Sequence, residues 1–236
     1  MNSDLRNTFD LKSWKAFELI WMAVFVAVGT VVTIFTKDSL LNYAILLTGI
    51  LCVVLAAKGN IWNYFFGTFN SLGYAYVSFA NGLYGDVGLN ILFFIPTNII
   101  GFFMWRMHLS ETSVEMRGLK VAHQFLVAVG CGLAIGVLGF FLSQIKTQNT
   151  PYLDATVTIL SVAATLLMMW RYKEQWALYI VLNIVTIVMW AIRLQNGSND
   201  GVIMILMWTA FLVNSVYGYL NWRKGALKHS KLELAS

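Results

Sequence analysis

The chain has 236 residues, 58% of them hydrophobic and only 11% charged, with a mean hydropathy of +0.68. A soluble domain carries about 25% charged residues, so this composition excludes a water-covered globule and identifies an integral membrane protein. The net charge of +5 follows from the topology set out below and does not point to nucleic acid.

A spanning helix needs roughly 20 apolar residues, and helices are the open-ended structures that satisfy their own backbone in lipid. Eight segments have this length. The first covers 17–36, with Glu18 at its start, and the second covers 39–57. The third, 61–81, opens at Trp62 and holds Tyr64, Asn70 and Tyr74. The fourth, 86–105, carries Pro96 two residues before Asn98. The fifth, 119–143, has Gly132, Gly136 and Gly139, a small-xxx-small face of the kind that packs helices. The sixth covers 152–170. The seventh, 175–195, carries Trp176, Tyr179, Asn183 and Trp190. The eighth, 201–221, carries Trp208, Asn214 and Tyr217. Loops are short and no linker interrupts the chain, so the expected fold is one all-α membrane domain.

The start, MNSDLRNTFDLKSWKAFEL, mixes acids and bases and leads to no cleavage site, so it does not read as a signal peptide. With eight crossings both termini share a side. That side collects thirteen cations: Arg6, Lys12, Lys15, Lys58, Arg106, Arg117, Lys120, Arg171, Lys173, Arg223, Lys224, Lys228 and Lys231. The other side has three: Lys37, Lys146 and Arg193. Positive residues stay inside, which puts both termini in the cytoplasm. Asn196-Gly-Ser matches a glycosylation sequon but sits in a very short loop.

Helices two to four and six to eight read as two copies of one unit. Trp62 and Trp176 lie 114 positions apart, Asn70 and Asn183 113, Asp86 and Asp200 114, and Asn98 and Asn214 116. Gly101 and Gly218, then Trp105 and Trp222, are 117 apart. Both units begin from the same side by the charge assignment, so the repeats are parallel. The first repeat covers 39–105 and the second 152–222, with 17–36 as an extra N-terminal helix and 119–143 as a linker helix. Transporters with parallel repeats place the substrate between them, near the midplane.

Asn70, Asn98, Asn183 and Asn214 fall near one depth. An unpaired amide in hydrocarbon costs several kcal/mol, so these groups face the protein interior, each other or a polar guest. Interhelical glue is the alternative for any one of them. Four at one depth, paired by a repeat, favour a substrate site, because an amide offers donors and acceptors without charge. The rings of Tyr64, Tyr74, Trp176, Tyr179, Trp190, Trp208 and Tyr217 can stack on a flat heterocycle or attract a cation. Trp14, Trp21, Trp105, Trp170 and Trp222 lie near helix ends and read as interfacial anchors, while anchoring and site lining stay open for Trp62 and Trp176. Pro96 breaks the helical hydrogen-bond ladder, as a hinge or as a static bend.

No acid or base occupies a helix centre, and ion relays normally need intramembrane carboxylates or His. This argues for facilitated diffusion. No nucleotide-loop or zinc-protease motif is present, and His108, His123 and His229 are too scattered for a metal site. Cys52 and Cys131 read as reduced small hydrophobes. No enzyme, cofactor or metal chemistry is expected; a receptor without flux is the competing class.

Three stretches resemble the PnuC-type nicotinamide riboside transporters: NYFFGTFNSLGYAYVSF (63–79), LYGDVGLN (83–90) with NIIGFFMW (98–105), and YKEQWALYIVLN (172–183). The last is similar to the pattern E-x-W-x-x-[WY]-x-x-x-N, with Tyr179 at the aromatic position. The resemblance covers roughly 39–223. It implies a SWEET-like fold, a homotrimer in the bacterial inner membrane, and passive uptake of a vitamin precursor that a cytoplasmic kinase traps. Ribosyl hydroxyls and carboxamide would meet the Asn set and the pyridinium would stack on rings. Asn90 stands where the family pattern has Gln. Related members carry thiamine, another aromatic cation.

Overall fold

In a chain this poor in charge, each apolar run must pair its own N–H and C=O groups, and it does so as helix. The computed structural model describes residues 14–36, 40–80, 84–110, 113–145, 150–195 and 201–233. Among them eight helical stretches follow one another. They are α1 (Ala16–Thr36), α2 (Leu40–Lys58), α3 (Asn63–Ala80), α4 (84–106), α5 (Val121–Ser143), α6 (Pro151–Met169), α7 (Gln175–Gln195) and α8 (Gly201–Glu233). Asp200, the Asn196 sequon, Arg6, Lys12, Lys37 and Lys146 lie outside the described residues. Five stretches are long and apolar enough to cross a bilayer: Ala16–Phe35, Val87–Arg106, Val121–Ser143, Pro151–Met169 and Gln175–Ile192; Tyr43–Lys58 is apolar but shorter. Helix α3 is more polar, since its 18 residues include Asn63, Thr68, Asn70, Ser71 and Ser78.

The chain divides into two compact units, Met1–Glu115 and Met116–Ser236. In the first, α2 packs on α1 and on α3, and α3 packs on α4. Ile50, Val54, Leu55, Ile61, Tyr64 and Trp105 are buried there. Helix α4 is continuous but changes pitch: Tyr84–Leu89 is α-helical, Asn90–Phe94 forms a π turn, and Ile95–Arg106 is α-helical again. The Ile95 N–H reaches back to the Asn90 carbonyl. Pro96 sits at the first turn of the last segment, where its missing N–H is least costly. The widened turn before it gives the ring room that a regular helix denies.

After α4 the helices are interrupted by one short hairpin. Strands β1 (Leu109–Ser110) and β2 (Ser113–Val114) pair antiparallel, Leu109 opposite Val114. The Val114 N–H then donates to the Gly59 carbonyl at 2.9 Å. The second unit has a counterpart: the Arg117 N–H donates to the Arg171 carbonyl at 2.8 Å, and the Lys173 N–H to the Arg117 carbonyl at 2.9 Å. In this unit α5 packs on α6, α6 on α7, and α7 on α8.

The turns that end α2 and α6 match bond for bond, 112 positions apart. The N–H groups of Gly59 and Arg171 donate to Ala56 and Met168, each at 2.9 Å. Those of Asn60 and Tyr172 donate to Leu55 and Leu167, again at 2.9 Å. This pair of bonds is the Schellman cap, which needs a left-handed residue at its hinge. Gly59 takes it with φ 74° and Arg171 with φ 67°. The Tyr64 and Trp176 N–H groups then bond three residues back, to Ile61 and Lys173. Tyr64, not Trp62, therefore holds the place of Trp176 after its turn.

Two expectations from sequence are corrected by packing. Trp105 and Trp222 are not interfacial anchors; both are fully buried in protein. Gly132 and Gly136 pack against nothing within the described chain, and only Gly139 of that set meets a neighbour, the Tyr152 ring. Helix α8 runs twelve residues beyond the expected 221, because Trp222 and Ala226 are buried along one side of its extension.

Candidate substrate-binding site

In the first unit Asn70 lies against α2 and Asn98 against α3. The Asn70 Nδ2 donates to the Ile45 carbonyl at 2.7 Å and stands 3.0 Å from where a side chain on Gly49 would begin. A Cβ on Gly67 would meet the Asn98 amide at 3.2 Å and the Cys52 sulfur at 3.2 Å. Gly49 and Cys52 are three apart on α2, and Gly67 and Asn70 three apart on α3, so each pair shares a helix face. Small residues at these points let the amides approach the helices closely. Asn98 is 8% exposed and Asn90, inside the π turn, 9%. Tyr74 is about half exposed.

In the second unit the Asn183 Nδ2 donates to the Ser215 Oγ at 2.9 Å, which ties α7 to α8. Asn214, next to Ser215, is buried as well. Trp176 and Tyr179 lie one turn apart, 5.8 Å between ring centres, and the Tyr179 hydroxyl is 3.4 Å from the Thr165 hydroxyl of α6. Trp176 presses on the backbone of α8 at Gly218, where a Cβ would come within 2.7 Å of its ring, and it meets Trp222 edge-on at 6.3 Å. Trp208 lies nearly three turns before Gly218 on α8, edge-on to Phe211, and its indole nitrogen has no partner among the described residues. Tyr217 is half-buried.

The Tyr64 packing repeats this pattern. Its ring covers Gly101 and meets Trp105 edge-on at 4.9 Å. Tyr64 and Trp176 are 112 apart, while Gly101 and Trp105 are 117 from Gly218 and Trp222. In this register the counterpart of Asn183 is Ser71, and that of Ser215 is Asn98. The amide and the hydroxyl have changed helices between the units. The sequence pairing of Asn70 with Asn183 is thus one residue out, which is about 100° of helix turn. Trp62 also parts from Trp176: it is only half-buried, edge-on to Phe65 at 5.7 Å.

Sequence reasoning missed Gln175. It has no exposed surface, and neither its amide nitrogen nor its amide oxygen has a partner among the described residues. Beside it the buried Trp176 Nε1 is unpartnered too. Asn63, 112 positions earlier, is equally buried; its Nδ2 donates to the Asn60 carbonyl at 2.7 Å while its Oδ1 has no partner among the described residues. Gln175 stands inside the motif quoted above, directly before Trp176, and that adjacency was the available signal.

Glu174, the acid of that motif, does structural work. Its Oε2 accepts from the Leu119 N–H at 3.1 Å and its Oε1 from the Gln124 amide at 3.2 Å, so it ties the start of α5 to the α6–α7 turn. At the ends of α1 and α2, Glu18 and Lys58 form a buried ion pair at 3.2 Å, with the Lys58 ammonium 4.6 Å above the Trp14 ring.

Long apolar helices packed side by side, with uncharged amides and rings buried among them, define a multi-pass membrane protein. Comparison with known proteins gives the class its family. The family model described as nicotinamide mononucleotide transporter matches residues 39–224, and the chain belongs to that family of membrane transporters. It is 40% identical to the nicotinamide riboside transporter PnuC of Neisseria mucosa, over 92% of this chain and 84% of that one. It is 36% identical to the protein of the same name from Haemophilus influenzae, over 91% and 92%, and 25% to that from Escherichia coli, over 62% and 72%. A solved structure described as the vitamin B3 transporter PnuC superposes with a TM-score of 0.81 at 37% identity, covering 97% of this chain and all of that one.

Proposed function

We propose that this protein carries nicotinamide riboside across the bacterial inner membrane by facilitated diffusion. The observation that carries the reading is the set of buried amides Asn98, Asn183 and Asn214 in segments whose central parts hold no Asp, Glu, Lys, Arg or His. The family description names the mononucleotide and the relatives' names the riboside; the two differ by one phosphate. A phosphate carries about −1.5 to −2 charges at pH 7. Desolvated among uncharged amides it would lack a countercharge, which costs several kcal/mol. The riboside brings hydroxyls and a carboxamide for Asn70, Asn90, Asn98, Asn183 and Asn214. Its cationic ring suits the faces of Tyr74, Trp176, Tyr179, Trp208 and Tyr217.

Repeats 39–105 and 152–222 then run parallel, with 17–36 additional and 119–143 as the linker, in a homotrimer of SWEET-like subunits. The thirteen-to-three split of cations supports cytoplasmic termini. Alternating access bends α4 at Pro96, beside the π turn, a feature that often marks functional sites in helices. With no acid or base at a helix centre to couple an ion, net uptake depends on a cytoplasmic kinase that phosphorylates the riboside and so traps it.

Purified protein in liposomes should equilibrate nicotinamide riboside to the outside concentration and no higher, with a riboside kinase and ATP inside driving further uptake. Accumulation above that level driven by a proton or sodium gradient overturns the passive mechanism. Stronger competition by the mononucleotide than by the riboside overturns the ligand.

A further inference from the structure

The structure assigns a binding surface for anionic lipid headgroups to one end of the second unit, where α8 continues past Trp222. Three separate stretches meet there. Met116 lies against Gly225 of α8, leaving no room for a side chain at that glycine. Two residues on, the position a Cβ on Gly118 would take is 3.2 Å from the Lys173 Cε of the α6–α7 turn. The extended segment 116–120 is thus held between that turn and the α8 extension, its backbone bonded to Arg171 and Lys173. This brings Arg117 and Lys120 to the same end as Arg223, Lys224 and Lys228, and all five side chains are exposed.

These cations lack the partners that a folded surface normally supplies. Arg223, Lys224, Lys228 and Lys120 make no ion pair among the described residues, and Arg117 has only the Tyr172 ring, 5.4 Å away. Glu174, at this end, already accepts from Leu119 and Gln124 and stands 3.7 Å from Lys173.

Geometry favours lipid as the occupant. Arg223, Lys224, Leu227 and Lys228 fall on one face by their three- and four-residue spacing, opposite the buried Trp222 and Ala226. Leu227 is 55% exposed amid the cations, an apolar contact suited to the boundary of the acyl chains. The rise from 222 to 228 is about 9 Å, close to the depth of one headgroup layer, roughly 5–8 Å. The charges therefore span the phosphate level of a bilayer that α8 enters. Retention of cations on one side of the membrane requires no such rigid array. The helix fixes one here by docking on Met116.

The test uses the full-length protein in neutral detergent, with its unfolding midpoint measured against added phosphatidylglycerol, phosphatidylcholine or inorganic phosphate. Phosphatidylglycerol should raise the midpoint more than phosphatidylcholine, and less so as salt is added. In R223Q/K224Q/K228Q its affinity should fall about fivefold per cation removed, on the order of 100-fold in total. If that variant fails to fold, Lys228→Gln alone should weaken the lipid about fivefold. An equal phosphatidylglycerol effect on wild type and folded variant overturns the assignment, as does no preference over phosphatidylcholine. A full shift from inorganic phosphate alone overturns the lipid in favour of a free anion. Riboside flux is a separate readout, so a wrong substrate would leave this result untouched.

Discussion

Asn183 gives one of its two N–H donors to Ser215, and the rest of its amide makes no other bond among the described residues. Removing it in Asn183→Leu deletes one hydrogen bond, worth about 1 kcal/mol. The orphaned serine can turn back to its own helix, and the leucine adds apolar contact. The unfolding midpoint should move by only a few degrees while riboside affinity, measured by calorimetry, falls about tenfold or more. A collapsed midpoint with normal residual affinity would make Asn183 glue. Gln175 predicts the opposite balance of effects. Two amide atoms buried without partners cost about 1–3 kcal/mol each. Gln175→Met should therefore raise the midpoint by at least about 2–4 °C, read by a thermal-shift assay. Asn183 was legible because it interrupts an apolar run at mid-membrane depth. Gln175 was not, because its position at a helix start looked like ordinary turn polarity, and only the packing around the Schellman cap shows that water is excluded there.

At the scale of elements, glycines on the same helix should respond with opposite signs. Gly136 of α5 faces open space within the chain, so Gly136→Ala should add about 0.5–1 kcal/mol of helix stability. Gly139→Ala drives a methyl into Tyr152 and should cost about 1–3 kcal/mol. Denaturation of the two variants in one detergent checks the sign of each. The sequence places both glycines in one small-residue stripe, because spacing says which residues share a face and not what lies opposite. The same limit explains α8. Its last twelve residues carry Arg223, Lys224, Lys228, Lys231 and Glu233 and read as a polar tail, yet a buried line through Trp222 and Ala226 keeps them helical. Seven other stretches end within about two residues of the expected bounds, since apolar length alone sets them. The π turn in α4 had one visible cause, Pro96, but a proline predicts a disturbance without saying whether the helix will break, bend or widen.

For the whole molecule, few strong electrostatic contacts hold the fold, and the Glu18–Lys58 pair is the most buried ion pair among the described residues. It joins α1 to α2, and α1 is the helix that the family match, starting at residue 39, leaves out. Breaking a buried pair strands the remaining charge at about 3–5 kcal/mol. Glu18→Gln and Lys58→Met should each lower the midpoint markedly, and the double variant should recover most of the loss. A double-mutant cycle in thermal unfolding reads this as a coupling energy; simple additivity would mean that the pair is not formed. The composition alone made the chain a membrane protein, and the resemblance of stretches 63–79, 83–90, 98–105 and 172–183 pointed to its family. Spacing found the 117-position offset of Gly101 with Gly218 but not the 112-position offset of the preceding turns, which their backbone hydrogen bonds show.

The caps after α2 and α6 use the same bonds and the same left-handed residue, but one hinge is glycine and the other arginine. The shape of the bend is thus indifferent to the side chain at its apex, and the segments 55–64 and 167–176 are interchangeable as backbone. A chimera carrying either decapeptide in both places would keep the backbone bonds of the cap while erasing the chemical distinction between the two bends, and so would separate what the bend contributes from what its rings and amides contribute.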